Sequence, residues 1–305
     1  MFSGAGWAGM GGAAVNAIVS PWFVRARPAA LSMAYNGASV GGVVFSPLWV
    51  AAIAALGFPA AAAVIGTVML VVIWILADLL MSRTPEQMGL RPDGDAPGAL
   101  APVGSVAAPR PGSLLWRNAT FATLAAGMAI GLFAQIGLIA HLFSLLVPTL
   151  GAQGAGLAMG LATAMAIVGR TAIGWLMPSG ADRRRVAAAS YAVQIVGCVA
   201  LVVAAGSNVT LLLAGVVLFG FGIGNATSLP PLIAQSEFVK EDVPRVVALI
   251  VAISQGTFAF APAVFGLIRE FAPADAAAGA APAVYIAAAV LQGAAIAALL
   301  AGRRV

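Results

Sequence analysis

The sequence predicts an all-α polytopic membrane protein of about nine transmembrane helices, and three observations carry that reading. The 305 residues are 62% hydrophobic and only 8% charged, against about 25% charged in a soluble domain. Nine stretches reach or approach the roughly 20 apolar residues that cross ~30 Å of hydrocarbon as a helix, with the Gly and Pro content that membrane helices tolerate. The basic residues gather in alternate loops, as the positive-inside rule requires of a multi-pass chain.

The spans fall at 3 to 22, 30 to 54, 58 to 81, 118 to 146, 152 to 177, 186 to 206, 209 to 234, 245 to 268 and 279 to 301. With alternating sides, one face receives Arg25, Arg27, Arg83, Arg91, Arg110, Arg117, Arg183, Arg184, Arg185, Lys240, Arg245, Arg303 and Arg304, while the other receives Arg269 alone. Thirteen against one marks the first face as cytoplasmic, which puts the C-terminus inside and the N-terminus outside. Between the third and fourth spans, residues 82 to 117 hold "RTPEQMGLRPDGD" and a long Pro- and Gly-rich run too polar to enter lipid, hence a cytoplasmic linker. The expected organisation is a partial N-terminal half-bundle of three helices over 1–81, a linker over 82–117, and a six-helix C-terminal half-bundle over 118–305.

Sliding the chain on itself by 215 residues pairs Gly9 with Gly224, Phe23 with Phe238, Arg25 with Lys240, Ser39 with Ser254, Gly41 with Gly256, Phe45 with Phe260 and Pro47 with Pro262. Span then falls on span and loop on loop. A repeat six helices long explains the register, and on that reading the first span is the fourth helix of a half, so the chain is expected to lack the three helices that would stand ahead of Met1.

Several function classes drop out. The sequence pI is near 10.3, but the largest basic cluster is Arg183 to Arg185, so the charge marks topology and no nucleic-acid partner is expected. The single Cys198 excludes an intrachain disulfide. One His, one Cys and almost no acidic residue at membrane depth supply neither a metal-ligand set nor a nucleophile with base and orienter, so no enzyme, metal or cofactor is expected. "GAGWAG", Gly4 to Gly9, fits a dinucleotide fingerprint in letters but lacks the βαβ context, and its small residues suit close helix contact. The tripeptides starting at Asn118, Asn208 and Asn225 match N-x-[ST] but are dismissed as glycosylation sites on topology. Fourteen arginines against the single Lys240, with abundant Ala and Gly, suggest a GC-rich bacterial genome, and hence a multi-pass protein of the inner membrane.

Two six-helix halves joined by a cytoplasmic linker, as parallel repeats, is similar to the arrangement of the major facilitator superfamily. "WFVRARPAALSMAYNGASVGG", Trp22 to Gly42, resembles the segment between helices four and five of monocarboxylate porters and oxalate/formate antiporters, through Arg25, Arg27, Ala30, Gly37 and Gly41. Ser32 stands where that pattern has Gly. The loop between helices eight and nine resembles the family motif less closely: Pro178 occupies the expected Asp position and the acidic-basic cluster arrives four residues late, at Asp182 and Arg183. The resemblance implies helices 4 to 12 of twelve, and a secondary transporter of small organic solutes working by alternating access as a symporter or antiporter. Monocarboxylate-like anions are the expected substrate. Multidrug or other solute efflux, or a non-transporting truncated membrane protein, are the alternatives.

The candidate substrate ligands lie at membrane depth. Arg170, in "AMAIVGRTAIGWLM", costs at least ~2.5 kcal/mol to bury at a helix centre, so it should face protein or water. It either snorkels to the cytoplasmic end or lines the cavity and pairs with a substrate carboxylate. The porters' Arg followed shortly by Gly in this helix matches Arg170 and Gly174, which favours the second. Ala166 stands where monocarboxylate porters have an Asp, and residues 246 to 267 hold no counterpart to the oxalate porters' cation. Those departures point away from proton coupling through that Asp and toward a singly charged anion. His141 is either a proton relay or an interfacial histidine, with Gln135 six residues before it. "GFGIGNATSLPPL", Gly220 to Leu232, either bends its helix and opens carbonyls to a cavity through Asn225, Pro230 and Pro231, or packs plainly. Tyr35, Asn36 and Ser39, with Ser254 and Gln255 in the repeat partner, complete the cavity candidates.

Overall fold

The computed structural model describes residues 15, 18–19, 21–23, 27–94, 113–177, 181–239, 241–271 and 281–303. The expected first span and Arg25 lie outside these residues, and for Arg27, Tyr35 and Ser39 only the backbone is described. Every regular element among the described residues is helical, because hydrocarbon offers no partner to an open backbone. In order they are α1 (Arg27–Leu56), α2 (Phe58–Leu76, continued by a π turn Ala77–Met81), a 3-10 turn Pro92–Gly94, the single turn α3 (Ser113–Trp116), α4 (Ala119–Leu176), α5 (Arg183–Ala204), α6 (Val209–Ile223), α7 (Asn225–Glu237), α8 (Val243–Phe258), α9 (Ala261–Glu270) and α10 (Pro282–Ala301). Among the described residues, six helical segments are long and apolar enough to cross a membrane, with Val40–Leu56 a shorter apolar helix. The chain is thus an all-α polytopic membrane protein.

The chain divides into two units, one of residues 1–41 and 51–105, the other of residues 42–50 and 106–305. In the first, α1 and α2 meet at Gly57, whose φ of 74° a side chain would resist. In the linker, "TPEQ" is a capping box: the Thr84 N–H donates to Gln87 Oε1 at 3.0 Å, the Gln87 N–H to Thr84 Oγ1 at 3.4 Å, and Gly89 closes the turn at φ 67°.

In the second unit, α4 holds two expected spans. Its 58 residues would stretch about 87 Å if straight, but Gly151 leaves helical geometry at φ 68°, ψ 169°. Leu142, Leu145 and Leu146 before it share one apolar core with Ala155, Ala158 and Ala162 after it, so the chain reverses there and α4 has two arms. The expected spans at 209 to 234 and 245 to 268 are single membrane-length segments, Val209–Glu237 and Val243–Glu270, whose hydrogen-bond ladders are interrupted at Gly224, between α6 and α7, and near Phe260, between α8 and α9, while the backbone keeps helical φ/ψ at both breaks.

The helix starts explain two of the dismissed N-x-[ST] tripeptides. Asn118 Oδ1 accepts from the N–H groups of Thr120 at 2.9 Å and Phe121 at 3.4 Å, and Asn208 Oδ1 from Leu211 N–H at 3.0 Å. Both are N-caps, as is Asp182, which accepts from Arg184 and Arg185 N–H at 3.0 and 3.2 Å. Small residues set the helix spacing. A Cβ on Gly197 would lie 2.7 Å from the Phe219 nitrogen, and one on Gly220 2.8 Å from the Ala162 Cα, so α5, α6 and the second arm of α4 touch backbone to backbone.

Candidate functional site

Polar side chains meet at several levels of the second unit. At the end nearest the linker, Arg184 in the first turn of α5 is 1% exposed. Its Nε and Nη2 donate to the two carboxylate oxygens of Glu237 at 2.7 and 2.8 Å. Nη2 also reaches the Thr120 carbonyl at 2.8 Å, and Nη1 reaches Thr123 Oγ1 at 3.1 Å and the Leu299 carbonyl at 2.9 Å. All five guanidinium N–H donors are used, tying α4, α5, α7 and α10 into one knot. Beside it, Arg183 Nη1 donates to the Leu232 carbonyl, and the Arg303 side chain meets Asp182 at 2.6 Å. Burial works against ionisation of Asp182, but the bonds from Arg303 and from the Arg185 and Arg184 N–H groups outweigh it and hold the carboxyl below its ordinary value. Asp182 and Arg183 thus serve the helix start and the C-terminal segment.

A second level is an amide chain. Gln194 Oε1 accepts from Gln135 Nε2 at 2.8 Å and from Gln292 Nε2 at 3.1 Å, with Gln135 1% exposed and the other two wholly buried. Gln135 therefore points between α4, α5 and α10. Its two partners escaped the sequence reading, although a mid-span glutamine in each of three helices is the pattern that mutual pairing in lipid produces.

Arg170 lies on the second arm of α4, six residues or about 9 Å before its end at Leu176. It is half-buried, and its Nε donates to the Gly224 carbonyl at 3.1 Å. It faces protein. Thr227 and Ser228 hydroxyls converge on the same carbonyl at 3.3 and 3.2 Å, so the α6–α7 break presents an acceptor that Arg170 and its own helix share. The approach is close because Gly224 has no side chain: a Cβ there would lie 3.2 Å from Arg170 Cβ. Ala166, one turn earlier, is 2% exposed against the same break, leaving no room for the acidic residue that monocarboxylate porters carry. "GFGIGNATSLPPL" thus packs tightly, through Gly220 and Gly224, and interrupts the hydrogen-bond ladder of its helix at Gly224 while keeping helical φ/ψ there.

The remaining candidates are dispersed. Asn225 is 1% exposed, its Nδ2 donating to the Phe221 carbonyl at 3.3 Å. His141 Nε2 meets the Pro262 carbonyl at 2.9 Å; since the carbonyl can only accept, Nε2 carries the proton. One turn on, Arg269 Nη1 donates to Ser144 Oγ at 2.6 Å, so His141 and Ser144 fasten α4 to α9 far from Arg170. Ser254 is buried and bonds its own helix, whereas Gln255 is exposed. Asn36 lies on α1 in the other unit.

Among curated proteins none matches the sequence. The sequence does match the family model of the Major Facilitator Superfamily over residues 1–262. That match takes in most of the chain, so the protein with its lipid-spanning helices, buried arginine and broken α6–α7 helix belongs to the Major Facilitator Superfamily and is a multi-pass membrane transporter of a small solute.

Proposed function

We propose that the chain carries small monocarboxylate-like anions across a bacterial inner membrane by alternating access, as a symporter or antiporter, with the linker face toward the cytoplasm. The observation that carries this is Arg170: a cation at membrane depth, turned toward protein, its guanidinium plane fixed by the Nε bond to the Gly224 carbonyl. Arg rather than Lys at this position suits a carboxylate, because the planar guanidinium can donate to both of its oxygens. A single guanidinium matches a single negative charge better than two. With Ala166 where a proton-carrying Asp would stand, coupling runs through the anion itself or through another ion. Gln135 and His141 support this site indirectly, since their bonds hold α4 in place.

Purified protein in liposomes preloaded with a short-chain monocarboxylate tests the proposal. Counterflow of labelled monocarboxylate, undiminished by excess dicarboxylate, is the expected result. Extrusion of amphipathic dyes without anion counterflow would replace the proposal with efflux, and absence of both would remove the transport claim for this chain.

A further inference from the structure

Three consecutive arginines open α5, and their side chains do three different things. Arg183 turns to the Leu232 carbonyl on α7, and Arg184 is buried in the knot with Glu237. Arg185 points outward: its side chain is 68% exposed, and its one ion pair among the described residues is a loose contact with Asp182 at 3.8 Å. The same Asp182 oxygen receives Arg303 Nε at 2.6 Å, so one carboxylate stands between two guanidinium groups and a positive charge is left over. Beyond Arg185, at steps of three or four residues, come Ala189, Ala192, Val196, Val199 and Val203, all exposed, the valines at 56, 52 and 64%. Such steps keep to one face of a helix. The helix is long and apolar enough to cross a membrane, so that face lies against hydrocarbon, and Arg185 stands where hydrocarbon gives way to headgroups.

We propose that Arg185 and the exposed face of α5 hold one anionic phospholipid from the leaflet on the linker side, its phosphate on the Arg185 guanidinium and an acyl chain along Ala189, Ala192 and Val196. The guanidinium fork donates to two phosphate oxygens, while the methylene stem lies on the apolar face and carries the charge to headgroup level. From Arg185 to Val196 the helix rises about 16 Å, the depth of one leaflet. Charge selects the lipid class. A zwitterionic headgroup brings its own cation beside the phosphate and gains little from the surplus charge, whereas phosphatidylglycerol brings none. A second copy of the chain suits the face less well, because two copies inserted the same way and related by a two-fold axis would set Arg185 at the same depth as Arg185 of its twin.

Native mass spectrometry of the whole purified protein tests this, with release from detergent micelles that hold equal amounts of dioleoyl phosphatidylglycerol and dioleoyl phosphatidylcholine. The expected result is a monomer that retains one phosphatidylglycerol in preference to phosphatidylcholine by about 5-fold, the scale of one arginine at an anionic surface. Arg185→Gln removes the preference. Arg117→Gln, at an exposed cation just ahead of α4, leaves it intact, and glycerol phosphate without acyl chains is not retained. The buried Cys198 stays unreactive toward thiol reagents in both variants, which shows them folded. Equal retention of the two lipids by wild type overturns the proposal. So does a preference that survives Arg185→Gln, or one that falls as far in Arg117→Gln, which would make it a property of all the basic residues at this end. Retention of glycerol phosphate would remove the acyl chain from the site, and a lipid-free dimer would give the face to a second copy of the chain.

Discussion

Arg184→Gln should unfasten the end of the bundle nearest the linker. The wild-type guanidinium places five N–H groups on three helices, α4, α7 and α10, joining them to its own α5, and grips Glu237 through both carboxylate oxygens. Gln keeps two donors on a shorter chain and leaves Glu237 without its counter-charge. Breaking a buried pair by removing one partner costs about 3–5 kcal/mol. Glu237 is 19% exposed and water can partly relieve it, so about 3 kcal/mol is the appropriate figure. At roughly 2–4 °C per kcal/mol for a unit of about 200 residues, the melting temperature should drop by roughly 6–12 °C. The protein carries its own reporter: Cys198, the single cysteine, is wholly buried on α5, so a thiol-reactive fluorophore reads unfolding of this unit in detergent. Arg185→Gln, whose side chain is 68% exposed, should melt within about 1 °C of wild type, as loosely paired surface charges contribute little. If Arg184→Gln also melts within about 2 °C of wild type, the knot does not hold the helices together.

Other perturbations follow from the same packing. Gly220→Ala and Gly197→Ala push a methyl into a neighbouring backbone and should each destabilise by roughly 1–3 kcal/mol, whereas Gly256→Ala, with open space around it, should melt like wild type in the same fluorophore assay. Gln194→Leu strands the Gln135 and Gln292 amides and should lower the melting point; the triple variant with Leu at all three positions should recover most of the loss, since removing every partner leaves none unsatisfied. Asp182 has its folded pKa depressed below 3.8, so its stabilisation is fully present above about pH 4 and is lost as pH falls through the folded value. Melting curves of wild type and Asp182→Asn should therefore differ at pH 7 and converge as the pH falls through and below the depressed folded pKa.

Helix positions were legible because burial in hydrocarbon writes itself in long apolar runs, and the loops' Arg distribution orders them. Partnerships were not. Arg184 read as one more topology charge beside Arg183 and Arg185, since a charge count reports which side a residue emerges on and not whether its side chain turns back among four helices. Gln135 stood out as a polar residue in a span, but a one-dimensional reading cannot tell an amide facing a cavity from one facing Gln194. The Asn118 and Asn208 caps hid behind a modification motif with the same letters. At Arg170 the sequence supplied the depth and the requirement to face protein; the acceptor, a carbonyl at a broken helix, depends on how closely Gly224 lets two backbones approach.

The most direct test of the proposed transport role is the counterflow rate of a labelled monocarboxylate in liposomes containing wild type, Arg170→Lys or Arg170→Gln at matched incorporation and melting temperature. Lys keeps the charge and loses the fork, while Gln loses both. A bidentate carboxylate contact predicts a clear loss for Lys and a loss of about 10²-fold or more for Gln, in line with about 3 kcal/mol for a hydrogen bond between charged groups. Wild-type counterflow by Arg170→Gln would contradict the substrate-binding role and leave Arg170 as a fastener of the α6–α7 break.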